Sequence, residues 1–162
     1  MTKKLNVVKM IVCMAVPLIV GIVSSLLTGN AMSQFGALNQ PPLSPPAILF
    51  PIAWTILYLL MGLASYYILE AEADTPELKS IKRQTFLYYA LQLAFNFAWC
   101  ILFFKLGAYF VAFIWLIIMW VLILLTMIKA FKISKLATIL LIPYIIWCTF
   151  AGYLNIMIAI LN

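Results

Sequence analysis

The chain has 162 residues, of which 67% are hydrophobic and only 9% charged. This excludes an ordinary soluble domain, in which about half the residues are apolar and about a quarter charged. A net charge of +6 without a single histidine rules out imidazole metal ligands, histidine general bases and histidine-ligated haem. The ten Lys and Arg form no single patch; they sit in short clusters between long uncharged stretches, which marks membrane-protein loops and not a nucleic-acid surface.

A hydrocarbon core of about 30 Å takes about 20 apolar residues in a helix. Five stretches qualify, predicting an all-α integral membrane protein, one five-transmembrane-helix bundle spanning residues 1–162. The first span covers residues 5–28 and contains Pro17. Lys3, Lys4 and Lys9 lead into it as in a secretory signal, but the apolar run is too long and ends in no small-x-small site, so retention is expected. Residues 29–45 are uncharged and rich in Gly, Asn, Gln, Ser and Pro, a candidate lid over the adjoining end of the bundle.

The second span, 46–69, opens on Pro45-Pro46, residues suited to a helix entrance. Residues 70–80 hold all four acids, Glu70, Glu72, Asp74 and Glu77, and read as a solvated turn, not paired catalytic carboxylates. The third span covers 84–104, and the tight turn Lys105-Leu106-Gly107 makes it an antiparallel neighbour of the fourth, 108–128. The fifth, 136–161, contains Pro143. Prolines inside such spans are tolerated where neighbouring helices satisfy the freed carbonyls. Cys13, Cys100 and Cys148 all fall in apolar segments at no metal-binding spacing, so they read as small buried hydrophobes, and no metal site is expected.

Nine of the ten Lys and Arg fall before or at the start of span one or in the second and fourth loops; only Lys105 falls on the other side. The positive-inside rule then predicts a cytoplasmic N-terminus and an external C-terminus. No Asp, Glu, Lys or Arg lies deep in a span, which argues against an ion-coupled transporter or a charged filter.

The positive signal is aromatic and polar residues at mid-helix depth. Trp54 lies eight residues past Pro46, about 12 Å down a helix. Trp115, Trp120 and Trp147 also lie deep, while Trp99 has the position of an interfacial belt residue. Helical spacing puts Trp54, Tyr58, Met61, Gly62 and Ser65 on one stripe of span two. Gln92, Asn96, Trp99 and Phe103 share a face of span three, and Tyr144, Trp147, Ala151 and Asn155 a face of span five, flanked by Tyr153 and Leu154. Buried amides need partners, so these faces should point inward, where they can line a pocket for a planar apolar ligand. Taken singly, each stripe is more often helix packing than a site.

Three blocks resemble the TspO/MBR family of tryptophan-rich sensory and translocator proteins, the peripheral-type benzodiazepine receptor family. They are Gln40-Pro41-Pro42-Leu43-Ser44-Pro45-Pro46 with Trp54-Thr55-Ile56-Leu57-Tyr58-Leu59-Leu60-Met61-Gly62; Gln92 through Asn96 and Trp99 to Phe103-Phe104; and Pro143-Tyr144-Ile145-Ile146-Trp147 through Phe150-Ala151-Gly152-Tyr153-Leu154-Asn155. The order and spacing match the family's pattern across nearly the whole chain.

The resemblance implies a homodimeric five-helix bundle in a cell membrane that binds porphyrins such as protoporphyrin IX and, in some members, benzodiazepine-type drugs and sterols. It implies a pocket containing Trp54 and Trp147, with Tyr58, Gln92, Asn96, Trp99, Ala151 and Leu154 in or near it; Tyr144 joins them from its stripe. The porphyrin is the ligand, and no cofactor is required. The implied role is sensor, scavenger or carrier. One alternative is light- and oxygen-dependent degradation of protoporphyrin IX with Trp54 and Trp147 as redox partners, since the sequence shows no conventional catalytic constellation. Another is a structural partner in a membrane complex. Three departures bear on this. The loop tryptophan often found before Ser/Thr-Pro-Pro is Leu43, which weakens stacking of a lid on ligand. No Lys or Arg follows Tyr153, which counts against a sterol motif. The absence of a basic tail after span five fits a bacterial member better than an organellar one.

Overall fold

The structure is a computed structural model describing residues 5–162, the Met32 side chain excepted. Every regular element in that range is a helix: α1 (Val7–Thr28), α2 (Ala31–Ala37), α3 (Leu49–Glu70), α4 (Pro76–Cys100), α5 (Tyr109–Phe131) and α6 (Lys135–Leu161). A π-helical turn, Ile101–Lys105, continues α4. Five of these are long and apolar enough to cross a membrane: α1, α3, α4 with its π turn, α5 and α6.

Local chemistry sets the ends. Asn6 caps α1, its Oδ1 accepting the Lys9 N–H at 3.1 Å. Gly29 closes that helix at φ 60, a backbone region costly for other residues, and donates its N–H to the Ser25 carbonyl at 3.1 Å. Helix α4 begins at Pro76, earlier than the apolar span at Gln84, because Thr75 caps it, Pro76 fits the first turn and Glu77 meets the positive end of the helix dipole. The acidic segment is therefore mostly helix: Glu70 ends α3, Glu77 opens α4, and residues 71–75 connect them.

Around the bundle the order is α1, α3, α6, α5, α4, with α4 returning to α1 through a lighter contact. Met61, Leu116, Met119, Leu141, Tyr144 and Ile158 are fully buried at the centre. Helix α1 is the most peripheral, with 11% of its apolar window buried against 44% for α3. It nevertheless packs tightly on α3 at one level, where a Cβ on Gly62 would stand 2.4 Å from Met14 Cα. In the absence of a hydrophobic drive between helices in lipid, such small-residue contacts bring backbones together.

Antiparallel succession gathers Lys9, the basic residues opening α4 and those of the α5–α6 turn at one end, and leaves Lys105 at the other. Lys3 and Lys4 lie outside the described residues. At the basic end Lys9 Nζ pairs with Glu70 at 3.0 Å. Lys82 Nζ donates to the Leu69 and Ala71 carbonyls at 2.6 and 2.9 Å, capping the negative end of α3.

Candidate functional site

A cavity of about 590 Å³ occupies the Lys105 end of the bundle, within the size range of small-molecule sites. Its aromatic lining comes from three helices: Phe50, Trp54 and Tyr58 from α3, Trp99 and Phe104 from α4 and its π turn, and Trp147 from α6. Ala151, one helical turn past Trp147, leaves room above that indole. No Asp, Glu, Lys or Arg is among the described lining residues.

The ring geometry follows from the helix spacings. Trp54 and Tyr58, four residues apart on α3, lie 5.5 Å between centroids. Trp54 also meets the Tyr144 ring edge-on at 6.3 Å, and Phe50 meets Trp147 edge-on at 6.0 Å. The π turn has a direct consequence here. Leu106 N–H reaches back to the Ile101 carbonyl at 3.0 Å, and the widened turn carries Phe104 into the cavity while Phe103 stacks on Trp99 at 5.1 Å.

Of the residues expected from sequence, Trp54, Tyr58, Trp99, Trp147 and Ala151 line the cavity. Gln92, Asn96, Tyr144 and Leu154 stand behind that lining, buried at 1%, 1%, 0% and 3% exposure. The first three form a chain of hydrogen bonds. Tyr58 Oη donates to Asn96 Oδ1 at 2.7 Å, Asn96 Nδ2 donates to Tyr144 Oη at 3.3 Å, and Tyr144 Oη donates to Gln92 Oε1 at 2.7 Å. The two amides are thus linked through the tyrosine hydroxyls across α3, α4 and α6, and the network holds the Tyr58 ring at the cavity floor.

Trp99 is not an interfacial belt residue. It is 7% exposed, and its indole N–H donates at 2.9 Å to Asn155 Oδ1, whose amide in turn donates to the Tyr109 carbonyl at 2.7 Å. Trp115 and Trp120 donate elsewhere, to the Phe95 carbonyl and to Thr149 Oγ1, and take no part in the cavity.

The sequence reading missed the α1 wall. Gly21, Ser24, Ser25 and Thr28 line the cavity and recur at i, i+3, i+4 and i+7, the spacing of one helical face. Their small, weakly polar side chains were the available signal. Gly21 has no room to be larger, since a Cβ there would stand 2.3 Å from Tyr58 Cε2. Two buried polar atoms of the lining residues have no hydrogen-bond partner, Ser24 Oγ and Trp147 Nε1; the Cys100 thiol, a weak partner at best, lies beside Ser24.

The loop expected as a lid folds over this end. Helix α2 seats Phe35 on Phe50, ring centroids 4.7 Å apart, and Asn30, Ala31 and Ser33 line the cavity. Further along, Asn39 N–H donates to Asn162 Oδ1 at 2.9 Å, and Tyr153 Oη donates to the Pro42 carbonyl at 2.8 Å. Leu43 is 80% exposed at φ 67 and lies off the cavity, which this segment meets through Asn30, Ala31 and Ser33 instead.

Fold and cavity together define a multi-pass helical membrane protein built around a tryptophan-lined chamber at one end. The chain belongs to the TspO/MBR family, whose model matches residues 13–161. It is 33% identical to the tryptophan-rich protein TspO of Chlorobaculum tepidum over 97% of this chain and 98% of that protein. To the tryptophan-rich sensory protein of Cereibacter sphaeroides it is 37% identical over 73% of this chain and 70% of that one. The translocator protein of Bos taurus is 32% identical over 78% of this chain and 73% of its own.

Proposed function

We propose that this protein binds protoporphyrin IX-like tetrapyrroles in the aromatic cavity, as a sensor, scavenger or carrier in the cell membrane. The observation that carries the reading is the combination of three indoles, Trp54, Trp99 and Trp147, around one chamber with no charged residue among the described lining residues. Indole faces stack on a flat macrocycle, and a lining of this kind favours an extended apolar ring over an ion or a sugar. The names of the relatives agree with sensing or translocation but specify no ligand. With the basic end taken as cytoplasmic, the cavity lies toward the outer face.

The test is a protoporphyrin IX titration of detergent-purified protein, following tryptophan quenching and the porphyrin spectrum in the dark. Saturable binding in the micromolar range, weakened about tenfold or more by Trp54→Phe with Trp147→Phe, is expected, given that ring–ring stacking contributes about 1 kcal/mol per pair and the smaller ring overlaps less of the macrocycle. No saturable binding overturns the reading. A second reading, light- and oxygen-dependent breakdown of the porphyrin, is favoured by one observation: Trp54 and Trp147, both oxidisable indoles, line the same chamber. Bleaching of the bound porphyrin under light, lost in the double variant, would identify it.

A further inference from the structure

The cavity has a side as well as an end. Ile22 and Ser25 of α1 and Pro51 and Thr55 of α3 line it, and all four are exposed on the surface of the bundle. Their depth decides what they face. Ile22 lies six residues inside the α1 end at Thr28, and Thr55 six residues inside the α3 start at Leu49, each about 9 Å along its helix. The surrounding surface is aliphatic: Ile19, Ile22 and Leu26 on α1 are 57%, 59% and 77% exposed, and Ile52 and Ile56 on α3 are 51% and 53% exposed. A surface of that composition at that depth meets acyl chains, not water.

We propose that the gap between α1 and α3 is a lateral mouth through which the ligand enters from the hydrocarbon of the bilayer. The cavity's occupant is on this account a flat molecule with an apolar macrocycle that partitions into lipid, and not one captured from water through the loop. The proposal rests on the cavity being the tetrapyrrole site. Its construction follows from where the two helices touch. At Gly62 and Met14 they are locked backbone against backbone, and Gly21 rests on the Tyr58 ring, so the seam is closed from the basic end up to that level. Beyond Tyr58 the two helices flank the cavity instead of filling it, with Ser25 and Thr55 at the rim. Helix α1 is also the least buried span. The end of the chamber, by contrast, is covered by α2 and by the latch of Asn39 on Asn162 and on the Leu161 carbonyl.

The experiment measures association and dissociation rates of protoporphyrin IX with the protein in lipid vesicles. Leu26→Trp and Ile52→Trp place bulk on exposed residues beside the mouth that are not part of the lining, and an oxidised Asn39→Cys/Asn162→Cys pair locks the loop. The rim variants should slow association and dissociation together, about tenfold each, with the dissociation constant moved less than threefold, because a mouth sets rates and not equilibrium. The locked loop should leave association at the wild-type rate. Rim variants with wild-type rates, or with an altered dissociation constant in place of paired rate changes, overturn the lateral mouth, as does slow association in the locked loop. Those results leave porphyrin binding standing. Absence of saturable binding in the wild type instead overturns the tetrapyrrole reading, and this proposal with it.

Discussion

The Tyr58 ring rests directly on Gly21: a Cβ there would stand 2.3 Å from Cε2 and 2.8 Å from Cδ2. Helix α1 therefore holds from one side the ring that Asn96 holds from the other, through a 2.7 Å hydrogen bond. Gly21→Ala should push the ring off its seat and break that bond. The expected loss is about 2 kcal/mol, within the range for overpacking, with weaker porphyrin binding because the cavity floor moves. Thermal unfolding in detergent and a dark titration read the two effects separately.

Gly62→Ala should be worse, although the added atom is the same. At Gly62 the obstacle is backbone, with Met14 Cα at 2.4 Å and the Cys13 carbonyl oxygen at 2.8 Å, and neither yields by a rotamer change. The helices must separate, at about 3 kcal/mol or more. The order of the two variants in unfolding temperature, Gly62→Ala below Gly21→Ala, is the check.

Asn155→Leu keeps the branched shape of a side chain that is 1% exposed but removes the acceptor of the Trp99 indole. An orphaned buried donor costs about 1–3 kcal/mol. Trp99 lines the cavity, so its freed ring should also weaken porphyrin binding. A variant with wild-type unfolding temperature would show that Trp99 finds another acceptor.

Ser24→Ala should act in the opposite direction on stability. The other buried hydroxyls of Thr28, Ser65, Thr85 and Thr126 each donate to a backbone carbonyl three or four residues earlier, whereas Ser24 Oγ has only the Cys100 thiol, a weak partner, beside it. Deleting a buried hydroxyl with only a weak thiol partner removes more desolvation cost than hydrogen bonding, so the variant should match or exceed the wild type by up to about 1 kcal/mol. A clear loss of unfolding temperature would mean the hydroxyl is paired in the membrane.

Much of this protein follows from local pattern. The number of spans and their antiparallel order depend on apolar length, which any window of the chain reports. The grouping of Trp54 with Tyr58, of Gln92 with Asn96 and Trp99, and of Tyr144 with Trp147 depends on helical spacing, which is equally local. Spacing states which side chains share a face but not which face meets which. Only packing decided that Gln92, Asn96 and Tyr144 satisfy one another behind the chamber while Trp54 and Trp147 line it. Helix α1 entered the site for the same reason: Gly21, Ser24, Ser25 and Thr28 carry no strong chemistry, and their importance lies in what they stand against. The π turn after Trp99 and the Asn155 anchor are likewise settled between helices. A buried polar group has several satisfactory partners along a chain, and the folded arrangement selects one.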